Sequence, residues 1–273
     1  MIKKYYRIFF KYISYLFLKF LKIFLYKSNF KILPPIADKN EFNYDYSPSN
    51  RRVVLRKDNN KFGKVIFDSS LFETELCHLG KKYFTNKSGL NLNGHRSGYT
   101  GLYFLLFFHL KFKKCAIAEI GIAKNASTKL WRSFFSKASI DCFELDEKLI
   151  KQAKKHKLKS VKYHFIDVNN KKIINDQFKK TKKKFDIIID DSTHVFDHQI
   201  NIIKSVMKYL KSGGFLIIED IYRFRKEHAE KQYYYKLKNL QKHFSEILFV
   251  DTSHANNFTA SWKCEKILLL IKK

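Results

Sequence analysis

The sequence predicts an α/β protein whose doubly wound parallel sheet ends in a reversed hairpin. Three observations carry that prediction. From Cys115 onward, short apolar runs alternate with amphipathic stretches of helical length, the pattern of repeated βα units. The run Phe185–Asp220, FDIIIDDSTHVFDHQINIIKSVMKYLKSGGFLIIED, reads as strand, acidic turn with a histidine, amphipathic helix, Gly-Gly turn and second strand. The last two apolar runs are joined only by His254–Lys263, which is too short for a helical crossover, so they should pair antiparallel.

The expected strands are Cys115–Ile120, Ile140–Leu145, Val161–Ile166, Phe185–Asp190, Phe215–Glu219, Glu246–Asp251 and Lys266–Ile271. Ile187–Ile189 and Phe215–Ile218 are apolar without alternation, as strands buried on both faces are. Helices fill the intervals, among them Ala126–Lys137 and Asp197–Lys211. Right-handed crossovers bring the carboxyl ends of the strands to one edge, where open α/β sheets keep their ligands. No GxGxxG follows the first strand, and with the reversed hairpin this argues against an ordinary dinucleotide dehydrogenase.

Ahead of the α/β domain (residues 91–273) lie two other regions. Residues 1–30 read as a basic amphipathic helix, with Lys4, Arg7, Lys11, Lys19 and Lys22 on one face and Phe9, Ile13, Leu16, Phe20 and Phe24 among its apolar residues. Its longest uncharged stretch, Tyr12–Leu18, falls far short of the ~20 apolar residues of a spanning helix. No small-residue cleavage site marks a secretory signal. The segment 1–27 suits either the headgroup plane of an anionic bilayer or packing on its own domain or a sister subunit in a homo-oligomer. Residues 31–90 read as a variable region and linker, marked by Pro34-Pro35, with a small hairpin of Arg52–Arg56 and Lys64–Asp68. They suggest no chemistry.

Composition narrows the partners. The net charge of +29 invites a nucleic-acid reading, yet only eight of the 54 basic residues are Arg. Lys is a poor substitute for the Arg fork in phosphate and base recognition, so nucleic acid is not the expected partner. The four cysteines, Cys77, Cys115, Cys142 and Cys264, show no CxxC spacing and read as small core residues in a reducing, cytoplasmic compartment.

The chemistry gathers at the carboxyl edge. Asp190, Asp191 and His194 follow one strand, and Glu219 and Asp220 end the next, so these carboxylates and an imidazole should meet. Such a set suits a hard metal ion with a base beside it. His198, four residues after His194, could suggest a zinc pair, but no third soft ligand accompanies it. On the other half of the sheet, Glu119-Ile120-Gly121 closes the first strand. A glycine there admits close approach of a ligand to the backbone, and the following helix offers unpaired N–H groups. Glu144 ends the second strand, where an acid accepts ribose hydroxyls, and Asp167 ends the third, where it can meet a base edge.

From about Asn91 to its end, the chain resembles the class I S-adenosylmethionine-dependent methyltransferases, which have a Rossmann-like sheet. More narrowly, it resembles the metal-dependent sugar O-methyltransferases of macrolide biosynthesis and their cephalosporin-hydroxylase-like relatives. The residues that carry the resemblance are HRSGYTGLY (His95–Tyr103), AEIGIAKNASTKLW (Ala118–Trp131), CFELD (Cys142–Asp146), IIIDDSTHVFDHQ (Ile187–Gln199) and LKSGGFLIIED (Leu210–Asp220). The resemblance implies that Asp191, Glu219 and Asp220 hold Mg²⁺, with Asp191 and His194 catalytic and His194 the general base. It implies that Glu144 holds the ribose of S-adenosyl-L-methionine and that Gly121 passes its methionine portion. Glu119, Ser127, Asp167 and Asp190 complete the expected cofactor contacts, and Tyr99 and Tyr103 lie in the segment that closes over the cofactor. Relatives usually have glycines where this chain has Asn125-Ala126; Asn tolerates left-handed backbone better than other non-glycine residues.

The function so implied is Mg²⁺-dependent O-methylation of a sugar hydroxyl on a glycan or glycosylated metabolite. The enzyme would be cytoplasmic, held at the inner face of the membrane where residues 1–27 engage it. Two other readings stay open: a small phenolic or antibiotic-like acceptor, and a noncatalytic relative that binds membrane or nucleic acid.

Overall fold

The computed structural model describes residues 53–56, 62–71, 73–91, 97–223, 225–254 and 266–273. The amphipathic segment of residues 1–30, the start of the linker, His95, Cys264 and the connection after His254 lie outside the described residues.

The described residues form nine strands and seven α-helices in the order β1 (Val53–Arg56), β2 (Gly63–Asp68), α1 (Glu75–Lys82), α2 (Tyr99–Phe107), β3 (Ala116–Ile120), α3 (Ala126–Phe134), β4 (Ser139–Glu144), α4 (Glu147–Lys154), β5 (Val161–Phe165), α5 (Lys171–Lys180), β6 (Phe185–Asp190), α6 (Phe196–Val206), β7 (Leu210–Ile218), α7 (Glu230–Leu237), β8 (Phe244–Ser253) and β9 (Lys266–Lys272). One sheet holds all nine strands in the order β1, β2, β8, β9, β7, β6, β3, β4, β5. The run β7-β6-β3-β4-β5 is parallel throughout. β9 is antiparallel to both β7 and β8, which is the reversed hairpin expected from the short final connection.

Strand alternation divides the core. Ala116, Ala118 and Ile120 of β3 pack on one face with Ile188, Leu268 and Leu270. Ile117 packs on the other with Ile187, Ile189, Ile267 and Leu269. Successive side chains point to opposite faces of a strand, so a strand covered on both sides must be apolar at every position. Side-chain caps fix several helix starts where the sequence offers an oxygen. Asp146 accepts from Lys148 N at 2.7 Å ahead of α4, and Asn170 accepts from Lys172 N at 3.0 Å ahead of α5. Cys77, Cys115 and Cys142 are buried free thiols, and burial pushes the Cys115 thiol up to about 11. No helix among the described residues is long and apolar enough to cross a membrane.

Three expectations need correction. The helix expected over Asp197–Lys211 ends at Val206, and Gly213-Gly214 lie inside β7 rather than in a turn before it. The pairing of β6 with β7 shifts register between Phe185 and Ile187. Gly213, at φ 72°, supplies the left-handed backbone that such an irregularity needs. The second correction concerns the domain boundary at residue 91. The β1–β2 hairpin forms as expected, but β2 pairs in parallel with β8 and extends the main sheet. α1 also packs beside α2 and α3, so residues 62–91 are built into the α/β unit. The third concerns chemistry, because this same stretch delivers a residue to the acidic rim.

Candidate active site at the carboxyl edge of the sheet

Sheet register places the site. Ile120 of β3 lies opposite Phe143 of β4 and Asp190 of β6, and Asp190 lies opposite Ile218 of β7. The next residues along, Glu144 at the last position of β4 and Gly121, Asp191 and Glu219 just past their strands, therefore form a row at the carboxyl edge. The hydrogen-bond ladder continues one rung into this row: Gly121 N donates to Phe143 O at 2.8 Å, Asp191 N to Ile120 O at 2.8 Å, and Glu219 N to Asp190 O at 2.9 Å. The backbone that carries these carboxylates is thus fixed by the sheet.

On the acidic side, the structure brings Asp191, His194 and Asp220 together, each offering one ligand atom within 4.8 Å of the others. His194 Nε2 is 3.9 Å from Asp191 Oδ1 and 3.7 Å from Asp220 Oδ2. These separations lie outside hydrogen-bond range. Both His194 (φ 56°) and Asp220 (φ 54°) adopt left-handed backbone, uncommon for residues other than glycine and found where surrounding structure over-determines a site. Glu219 is fully buried beneath them. Burial, with the charges of Asp191 and Asp220 adding to it, pushes the Glu219 carboxyl well above its usual range although Lys87 opposes the shift. Burial and Asp191 likewise raise Asp220. Asp190 turns away from this group: its Oδ1 accepts from Ser192 Oγ at 2.6 Å and Ser192 N at 3.2 Å, and burial raises it to about 6. His198 Nδ1 is 2.9 Å from Thr193 Oγ1 and does not join the cluster.

On the other side of Asp191 lies a cleft of about 270 Å³, lined by Gly121, Ile122, Ala123, Lys124, Ala126 and Ser127 and faced by Phe84–Lys87. That volume is just under the ~300–1,000 Å³ of ligand pockets. Gly121 (φ 85°) is required here for a reason beyond ligand approach, because a Cβ would stand 2.2 Å from Asp191 O. Asn125 takes left-handed backbone (φ 65°), the conformation that glycine adopts most readily. Its Nδ2 donates to Tyr163 Oη at 2.9 Å, so the side chain anchors the loop that its backbone shapes. Glu144 bridges the loop to the end of β4: Oε2 accepts from Ile122 N at 3.1 Å and Ala123 N at 3.3 Å, and Oε1 from Leu145 N at 2.8 Å and Asp146 N at 3.2 Å. Asp167 Oδ1 accepts from Asn169 N at 2.9 Å in a turn past β5.

Three expected cofactor residues are placed differently. Glu119 is fully buried, and its oxygens accept from Thr128 Oγ1 and Trp131 Nε1, both at 3.0 Å. It braces α3 from below, with its carboxyl raised mainly by burial. Tyr99 and Tyr103 do not line the cleft. Tyr103 Oη donates to Glu219 Oε1 at 2.7 Å and Tyr99 Oη to Asp220 Oδ1 at 2.8 Å, so both serve the acidic side. They sit one helical turn apart on α2, which aims both hydroxyls at the two carboxylates that follow β7. That i, i+4 pair of phenol tips, in a helix whose one other polar side chain is Thr100, is a signal the sequence does carry, since buried phenols need acceptors.

Sequence reasoning missed Lys87. Its Nζ lies 2.6 Å from Asp191 Oδ2 and in closer contact with Glu219 Oε2, and the side chain is 2% exposed. Burial alone would lower its pKa, but the carboxylates of Asp191 and Glu219 more than offset that and hold it above the ordinary lysine value.

Magnesium prefers oxygen donors in octahedral array. Asp191, Glu219 and Asp220 are the right donors in kind. Asp191 Oδ1 and Asp220 Oδ2, on the His194 side, carry neither the lysine nor a tyrosine contact, while Glu219 has one oxygen on Tyr103 and the other on Lys87. A carboxylate offers about four lone-pair sites, so Asp191 and Asp220, beside His194, fit the ion as they stand.

No family model matches the chain. Over 156 residues, 54% of this chain and 37% of the relative, it is 28% identical to the 8-demethyl-8-(2-methoxy-alpha-L-rhamnosyl)-tetracenomycin-C 3'-O-methyltransferase of Streptomyces olivaceus. Over 155 residues, 54% of this chain and 36% of the relative, it is 23% identical to the mycinamicin VI 2''-O-methyltransferase of Micromonospora griseorubida. The chain thus spans little more than a third of the length of these curated relatives. Among solved structures, the MycE methyltransferase from the mycinamycin biosynthetic pathway, in complex with Mg, SAH and mycinamycin VI, matches with a TM-score of 0.55 at 18% identity, over 74% of this chain and 55% of that one.

Proposed function

We propose, starting from a class I methyltransferase fold that resembles the macrolide-sugar O-methyltransferases, that this chain transfers a methyl group from S-adenosylmethionine to a sugar hydroxyl of a glycan or glycosylated metabolite, with Mg²⁺. The single observation that carries the reading is the convergence of Asp191, His194 and Asp220 within 4.8 Å, with Asp191 also bordering the Gly121 cleft. One residue thereby joins a hydroxyl-activating group to a nucleoside-sized cleft.

When bound, S-adenosylmethionine would supply an electrophilic methyl group, and magnesium Lewis-acid polarisation of an acceptor oxygen. Asp191 and Asp220 would hold the ion, with Glu219 behind them. His194 Nε2 makes no close hydrogen bond to either carboxylate, which leaves its lone pair able to take the proton of the acceptor hydroxyl. Glu144 would accept ribose hydroxyls in place of the longer backbone contacts it makes to the loop. The first turn of α3, whose N–H groups border the cleft, suits the cofactor carboxylate. Holding both reactants in line is the larger contribution, because methyl transfer gains most from alignment. The basic amphipathic segment 1–27 would carry the enzyme to a lipid-linked or surface glycan at an anionic bilayer.

The test is transfer of labelled methyl from S-adenosylmethionine to a panel of rhamnosyl and related glycosides with vicinal hydroxyls, with Mg²⁺ present or chelated. The expected result is label on a sugar oxygen, dependent on Mg²⁺ in the native chain and lost in Asp191→Asn. Transfer unaffected by chelation and by Asp191→Asn would remove the metal from the reading; no transfer to any sugar would remove the acceptor class.

A further inference from the structure

An acidic rim of this kind needs positive charge, and the chain supplies some of its own. Lys87 enters from the segment after α1, on the opposite side of the row from His194. Its Nζ stands between Asp191 Oδ2, at 2.6 Å, and Glu219 Oε2, which is closer still. Lysine is almost never fully buried unless paired, and here it is paired twice. An ion bridging Asp191 and Glu219 would occupy this same ground, since both of the oxygens facing each other are taken by the ammonium.

We infer that Lys87 is the resident cation of the acidic rim and competes with a divalent ion for the charge of Asp191 and Glu219, so that an ion held by Asp191 and Asp220 on the His194 side gains Glu219 as a further ligand only by displacing the lysine ammonium. The inference rests on the metal reading given above and assigns a specific opponent to that metal. Lys87 acts as a positioning residue. Without a metal it keeps Asp191, Glu219 and their neighbours from repelling one another, and with a metal its ion pair is the contact that must be given up. Removing one partner of a buried ion pair leaves an uncompensated charge. In this case the uncompensated charges are ligands, so a divalent cation is the species that should relieve them.

The test is Mn²⁺ binding to the full chain, followed by loss of the free-ion paramagnetic resonance signal. It compares the native protein, Lys87→Met and Lys87→Arg, and a thermal melt confirms that each is folded. Lys87→Met should bind Mn²⁺ at least tenfold more tightly than the native chain, and Lys87→Arg, which keeps the charge, should stay near it. If Lys87→Met does not fold, Lys87→Gln carries the same expectation. Equal affinity in the native chain and the neutral variant would overturn the competition while leaving the metal site standing. Absence of Mn²⁺ binding in both would overturn the competition and the metal reading together.

Discussion

Gly121→Val is expected to remove cofactor binding and to destabilise the fold by about 3 kcal/mol. Gly121 sits at φ 85°, where a β-branched residue is a genuine outlier. A Cβ there would lie 2.2 Å from Asp191 O, 2.7 Å from its carbonyl carbon and 2.8 Å from Ser192 Cα. All three are backbone atoms, so no side-chain rotation relieves the clash. The strands would have to part where Gly121 N bonds Phe143 O and Asp191 N bonds Ile120 O. Because the displaced residue is Asp191, the damage should reach both halves of the site. Denaturant unfolding and calorimetry with S-adenosylhomocysteine measure the two effects. A Gly121→Val protein with native stability and native binding would show that this close approach does not shape the cleft.

His194→Gln is expected to reduce methyl transfer by roughly 10²–10⁴-fold, the usual contribution of a general base, while leaving binding of S-adenosylhomocysteine unchanged. Gln keeps a polar side chain of similar reach but cannot take a proton. The deficit should shrink as the pH is raised, because hydroxide then replaces the missing base. Loss of cofactor binding along with turnover would instead mean that the left-handed turn at His194 supports the cleft, and equal turnover would remove His194 as the base.

Much of this site is written in short segments. The IIIDD and IIED strand ends are each local, and parallel sheet geometry is regular enough to predict that they adjoin. The register then follows, since Ile120, Asp190 and Ile218 end their strands side by side. Asn125 is legible as a residue that tolerates left-handed backbone, and it takes that conformation at φ 65°. The parts that escaped are long-range. Lys87 precedes Asp191 by 104 residues in a lysine-rich chain, and only the packing of α1 against α2 and α3 selects it. Parallel pairing of β2 with β8 leaves no local trace, which is why residues 31–90 read as a variable region and linker. Tyr99 and Tyr103 were assigned by resemblance to the cofactor side, whereas their spacing on α2 carries both hydroxyls to Asp220 and Glu219. The resemblance puts Glu119 among the cofactor contacts, but strand alternation directs it under α3 toward Trp131.

The Gly121 cleft is expected to receive S-adenosylmethionine beside a hydroxyl-activating acidic rim. Calorimetric titration of the full chain with S-adenosylhomocysteine, in the presence of Mg²⁺ and again after chelation, tests it most directly. Saturable binding of one equivalent per chain is expected, weakened at least tenfold in Glu144→Ala and retained in His194→Gln. Absence of saturable binding by the native chain under both conditions would contradict it.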